Sequence, residues 1–137
     1  MGVQTYDPKK ILMSLGTHQV TGYADGTFIN YEPGGDGVTK VVGCDGEVAR
    51  SLNPDATGKL TPTLLAYSPT VAWAQKQYEL DKQTGDGMFP VLVKDLKGNT
   101  VISSANGWIV KSPAREYGRE TPTREIEIDL GEVTIDG

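Results

Sequence analysis

Residues 123–137 read TREIEIDLGEVTIDG, with Glu125, Glu127 and Asp129 alternating with Ile126, Ile128 and Leu130. Side chains along a strand point to its two faces in turn, so the run reads as a strand with one apolar and one acidic face. The apolar face needs a core to cover it. A row of like charges repels itself, so the acidic face calls for a cation, a basic partner or a water-filled space. At Gly131 the apolar positions fall out of step, moving from Leu130 to Val133 and Ile135, and a bulge is expected there.

Upstream, glycine and proline cut the chain into further short β-like pieces. Ile11, Met13 and Leu15 alternate. His18–Tyr23 and Thr27–Glu32 flank Asp25-Gly26, while Val38–Gly43 and Glu47–Leu52 flank Asp45-Gly46, which predicts two hairpins. EPGGDG (32–37) and NPDATGK (53–59) read as turn-rich connections. Ser68 before Pro69 is a helix start, and the helix runs to about Gln83 before the Gly85–Gly87 turn. Val71, Ala74 and Tyr78 form one apolar stripe on it, with Trp73 and Leu80 nearly opposite. The second stripe faces either a neighbouring loop or another molecule, and both readings stay open. Met88–Leu96, a Gly98-Asn99 turn, Thr100–Ala105 and Gly107–Lys111 complete the series. About eight or nine strands and one helix imply a mainly β fold. Its expected form is two packed antiparallel sheets, a sandwich or barrel, with one flanking α-helix.

Residues 1–137 suit a single domain with a radius of gyration of roughly 14 Å. The formal net charge of −5, without a lysine or arginine cluster, argues against a grip on nucleic acid phosphates. The single cysteine, Cys44, has no partner for an internal bridge, which fits a reducing compartment such as cytoplasm. The expectation is a chain with no signal peptide and no membrane anchor.

No catalytic, cofactor-binding or metal-binding residues are assigned. His18 is the single histidine and cannot pair with another to bind zinc alongside Cys44. No G-x-S-x-G elbow or Walker loop occurs, and PGGDG (33–37) leads into a strand rather than a helix. The acidic loops at Asp25, Asp36, Asp45, Asp55 and Asp86 lack D-x-D-x-D spacing, and most are Asp-Gly turns. A small calcium- or carbohydrate-binding β-sandwich is the alternative class. PAREYGRETPTRE (113–125) interleaves Arg115, Arg119 and Arg124 with Glu116, Glu120 and Glu125. Within a monomer such ion pairs add little, whereas between subunits they set register and partner choice.

Taken in order, TGYADGTFINYE (21–32), VVGCDGEVARS (41–51), TLLAYSPTVAWAQKQYELDK (63–82), PVLVKDLKGNTVISSANGWIVKSP (90–113) and REYGRETPTREIEIDLGEV (115–133) resemble the tail tube proteins of contractile-tailed bacteriophages. The likeness covers about Tyr6 to Val133 and lies nearest the branch of phage structural proteins. Cys44 stands where the family pattern suggests a small residue such as alanine.

The resemblance implies a non-enzymatic building block, similar to the type VI secretion tube protein. Copies form hexameric rings that stack into a tube inside a sheath. The other implied partners are baseplate and tail terminator proteins, with the tape measure protein and genomic DNA passing through. The implied location is the virion, assembled in the bacterial cytoplasm; a type VI or bacteriocin injection system is the alternative within this reading. About four strands per subunit and about twenty-four per ring, spaced about 4.8 Å and tilted about 40°, make a barrel about 48 Å across. Side chains of roughly 5 Å on each wall leave a bore below about 40 Å, wide enough for duplex DNA. On this reading Glu125, Glu127 and Asp129 line the lumen, where acid keeps phosphates from sticking. The opposing reading puts them on an outer or inter-subunit surface beside the upstream arginines. Trp73, Leu80, Arg115, Arg119 and Arg124 are candidate contacts to a neighbouring subunit or the sheath. Asp45, Gly46, Asn53, Pro54 and Asp55 mark a candidate ring-stacking loop, unless the segment is an ordinary hairpin.

Overall fold

The computed structural model describes residues 3, 5–98 and 100–137, so Asn99 of the expected Gly98-Asn99 turn lies outside the described residues. After a 3-10 turn at Pro8–Lys10 come β1 (Ile11–Leu15), β2 (His18–Gln19), β3 (Ile29–Pro33), β4 (Val38–Val42), β5 (Val48–Leu52) and β6 (Gly58–Leu65). Then follow α1 (Pro69–Thr84), β7 (Phe89–Asp95), β8 (Val101–Ile109), β9 (Thr123–Glu125), β10 (Ile128–Leu130) and β11 (Val133–Asp136). The order β2-β1-β7-β8-β10-β6-β3 makes a nine-stranded sheet, with β11 paired to β8 and β9 to β6. β4 and β5 form a separate two-stranded sheet. The architecture is mainly β with one helix, as the alternation patterns predict.

Residues 123–130 behave as one strand against β6. Thr63 faces Glu125 and Leu60 faces Ile128, so the register does not change between β9 and β10. Ile126, Ile128 and Leu130 are buried, while Glu125 is exposed and Glu127 and Asp129 are partly exposed. The expected irregularity at Gly131 is a two-residue break, across which β10 and β11 keep a common register on β8. The inserted residue sits on β8 instead. Phe89 pairs with Gly107 but Val91 with Ser104, so β8 carries one extra residue against β7. A bulge of this kind bends the strand and re-aims its side chains. Burial on β8 accordingly switches from Gly107 and Ile109 to Ser104.

β8 thus belongs to two layers. Its C-terminal half lies in β3-β6-β10-β8, and its N-terminal half lies in β2-β1-β7-β8-β11. Met13, Leu15, Val91 and Val93 from the second layer meet Leu60, Leu64, Ile126, Ile128 and Leu130 from the first in one core cluster. Each such side chain removed from water contributes about 1.5–3 kcal/mol.

α1 forms as its caps predict. Ser68 Oγ accepts the Thr70 N–H at 3.3 Å, and Gly85 ends the helix in the left-handed conformation at φ 76°, its N–H bonded to the Asp81 carbonyl at 2.9 Å. Val71 and Ala74 enter the core, with Tyr78 and Trp73 packed at its margin.

Three sequence expectations change. The Asp25-Gly26 segment does not join a hairpin: β2 and β3 lie at opposite ends of the sheet order. β2 folds back on β1 through Gly16, at φ 65°, with Leu15 facing His18, and β3 pairs with β6. β6 itself begins inside the segment read as a connection and alternates strictly in burial from Gly58 to Leu64. Thr100–Ala105 and Gly107–Lys111 merge into the single bulged strand β8. The hairpin around Asp45-Gly46 forms where expected.

Candidate assembly surfaces

The outer face of the first layer is polar across four strands. Glu32 on β3, Lys59 on β6, Asp129 on β10 and Trp108 on β8 stand directly opposite one another in a row. The next row carries Asn30, Thr61 and Glu127, and Thr63 with Glu125 follows. Several of these residues line an open cleft of about 350 Å³. Glu127 ties the face together. Lys59 Nζ and Lys111 Nζ each lie 3.4 Å from one of its carboxylate oxygens. Burial pushes the Glu127 carboxyl up, but hydrogen bonds and charge from Lys59 and Lys111 outweigh it and hold the group below its ordinary pKa. Four carboxylates (Glu32, Glu125, Glu127, Asp129) against two lysines leave the face at a net −2.

β3 is an edge of this layer, paired to β6 on one side. Phe28 accepts the Thr63 N–H at 2.8 Å and Gly34 donates to the Thr57 carbonyl at 2.9 Å, so even-numbered residues face β6. The backbone groups of Ile29 and Tyr31 therefore point outward, an open template for another strand.

The β4–β5 hairpin has no buried residue. Val38 faces Leu52, Lys40 faces Arg50, Val41 faces Ala49 and Val42 faces Val48. Val41 is 64% and Leu52 74% exposed even with the hairpin paired. Asp45 and Gly46 form its turn: Asp45 Oδ1 accepts the Glu47 N–H at 3.2 Å and Gly46 takes φ 89°. Cys44 is exposed in the same turn. Asn53, Pro54 and Asp55 lie in the return to β6, where Asn53 Oδ1 accepts the Asp55 N–H at 3.1 Å. The hydroxyl and N–H of Thr57 bond Asp55 Oδ1 and hold that carboxyl below its ordinary pKa.

Trp73 is used within the chain. Its ring stacks on His18 with centroids 5.1 Å apart and meets Phe89 edge-on at 5.0 Å. His18 Nε2 also lies 2.7 Å from Thr70 Oγ1. Leu80, farther along α1, is exposed.

The three arginines separate. Arg124 is 5% exposed; its Nη1 donates to the carbonyls of Glu116 at 3.3 Å and Thr123 at 3.1 Å, and the guanidinium sits over Tyr117. Arg115 donates to Gln75 Oε1 on α1 at 3.4 Å, and Arg119 is exposed. The acidic face takes its cations from lysines, a partnership that sequence reasoning missed because Lys59 and Glu127 are 68 residues apart. Among the described residues no cluster of three or more His, Cys, Asp or Glu side chains is arranged to hold a metal ion.

No protein-family model matches the chain. It is 25% identical over 139 residues to Structural protein ORF10 of Pseudomonas phage KPP10, spanning 96% of this chain and 80% of that protein. It superposes on a chain of the anti-feeding prophage tube-terminating cap with a TM-score of 0.59 at 15% identity, covering 99% of this chain and 94% of that one. A chain of the PVC sheath–tube complex of an extracellular contractile injection system gives a TM-score of 0.57 at 11% identity, over 96% and 91% of the two chains. The fold of this chain is tail-tube-like, the fold found in these parts of contractile injection systems.

Proposed function

We propose that the chain is a structural, non-enzymatic subunit of a phage-type tail tube. The observation that carries this reading is the four-strand layer β3-β6-β10-β8, dry on one face, acidic on the other and open at the β3 edge. Six copies pair edge to edge into a ring, with Glu125, Glu127 and Asp129 turned to the lumen. DNA and a tape measure protein pass without binding, because a net negative wall repels phosphate. The β4–β5 hairpin, with Asp45 and Gly46 at its tip and Asn53, Pro54 and Asp55 at its root, contacts the neighbouring ring and so covers its valines. Leu80, Arg115 and Arg119 face a neighbouring subunit or the surrounding sheath. Assembly proceeds in the host cytoplasm, with baseplate and terminator proteins at the tube ends, and the product is a virion component. A tube-terminating subunit is the second reading, favoured by the likeness to a terminating cap.

Negative-stain electron microscopy at low and high protein concentration, with and without EDTA, tests the proposal. Rings or hollow tubes that survive the chelator are expected. Particles of monomer size at every concentration, with melting shifted by calcium or glycans, would overturn it in favour of a small binding sandwich.

A further inference from the structure

Arg124 and Arg115 converge on a cavity of about 330 Å³ at the N-terminal end of α1, walled by Tyr117, Tyr67 and the Ser68-Pro69 turn. Neither guanidinium has a carboxylate within 4.0 Å among the described residues. That is unexpected in a chain with 18 acidic and 13 basic side chains. It is costlier for Arg124, because a buried charge without a counter-charge loses hydration that two carbonyl hydrogen bonds replace only in part. Those bonds occupy Nη1. Among the described residues Nε and Nη2 donate no hydrogen bond, and the Arg124 side chain lines the cavity. Gln75 holds Arg115 in place from the helix side.

The helix terminus supplies field rather than donors. Pro69 has no N–H, the Thr70 N–H is taken by Ser68 Oγ, and the Val71 N–H by the Ser68 carbonyl. Recognition therefore falls to the two guanidinium forks, whose planar donors match a carboxylate. We propose that this cavity is a carboxylate receptor, filled by an Asp or Glu side chain of a second copy of the chain. The cavity is wide enough to admit an acidic side chain together with water, and the chain's acidic surplus supplies the complementary charge. Acids also stand on an element with reach: Asp45 and Glu47 sit at the end of the exposed hairpin, whose five-residue strands extend about 16 Å. The inference rests on the proposal that copies assemble, and it adds the ionic contact that locks one copy to the next.

The test places a photo-crosslinking benzoylphenylalanine at position 117, which is 82% exposed and lines the cavity. Irradiation of assembled protein is followed by mass spectrometry of the linked peptides. The expected result is a link to an Asp- or Glu-bearing segment of another copy, reduced at least tenfold by Arg115→Glu. Arg115 is exposed, so that variant keeps the fold. Rings or tubes that form normally, with links confined to one copy or unchanged by Arg115→Glu, overturn the receptor and leave the tube intact. Absence of any ring or tube at any concentration overturns both.

Discussion

Ile126 and Pro62 face each other across the ladder and share one hydrogen bond where such a pair normally exchanges two. The Ile126 N–H donates to the Pro62 carbonyl at 3.1 Å, and no return bond exists because proline has no N–H. This missing donor is why β9 and β10 are separate segments although their register on β6 is continuous. Pro62→Val supplies the donor. The bond adds about 1 kcal/mol, offset by about 0.4–1 kcal/mol of unfolded-chain entropy lost with the proline. Net stability should therefore change by less than about 1 kcal/mol, while the amide at position 62 becomes protected in hydrogen exchange. Rapid exchange there would show that the strand is truly broken.

The Glu127 carboxyl lies below its ordinary pKa in the folded chain. A depressed acid contributes stability above the unfolded value, near 4.3, and loses it as pH falls through the folded value. The lysine partners are 42% and 64% exposed, so solvent screening limits the contribution to about 0.3–1 kcal/mol. Urea unfolding of Glu127→Gln should show that deficit at pH 7 and none near pH 3. A deficit independent of pH would assign the effect to packing.

Buried and exposed apolar residues should separate folding from assembly. Ile128→Ala removes a side chain with no exposure and should cost about 2–5 kcal/mol. Val41→Ser and Leu52→Ser, on the exposed hairpin, should leave monomer unfolding within about 0.5 kcal/mol of the parent but abolish rings or tubes in sedimentation. Tubes from both serine variants would remove the hairpin from the assembly contacts.

Gly107 tests the layer switch. A Cβ there would come 2.6 Å from Val91 Cγ2. Gly107→Ala should destabilise by about 1–3 kcal/mol through forced overpacking. An unchanged melting temperature would mean that β7 and β8 separate freely at the bulge.

Changing Glu125, Glu127 and Asp129 together to lysine moves the polar face from −2 to +4, since each change adds two charges. If that face lines a bore, tubes should still form, and duplex DNA should co-sediment with them at low salt and detach at high salt. DNA decorating only the tube exterior would put the acidic strand outside.

Much of this was legible where local pattern and tertiary role agree. The alternation of residues 125–130, the Ser68-Pro69 cap and the Asp45-Gly46 hairpin all survive in the structure. β6 was hidden because Pro62 reads as a breaker and Asn53–Lys59 as a turn, although Leu60 and Leu64 carry the alternation. Its neighbours supply the pairing that local propensity lacks. The burial of Arg124 did leave a trace: residue 124 shares strand parity with Ile126 and Ile128, so it belongs to the inner face. The lysines that meet Glu127 left none, since chain folding alone brings them there.

The opposition of Lys40 and Arg50 at the centre of the hairpin has a consequence for timing. Like charges face to face oppose each other, and they sit between rows of exposed valine and leucine that would otherwise zip onto any free strand. Such a like-charged pair is the usual device of a gatekeeper, and in the proposed assembly it would keep free copies dispersed until a surface of matching shape and charge appears. If copies assemble as proposed, growth should show a lag that a preformed template removes, so that tube length would be set at its ends rather than by spontaneous polymerisation.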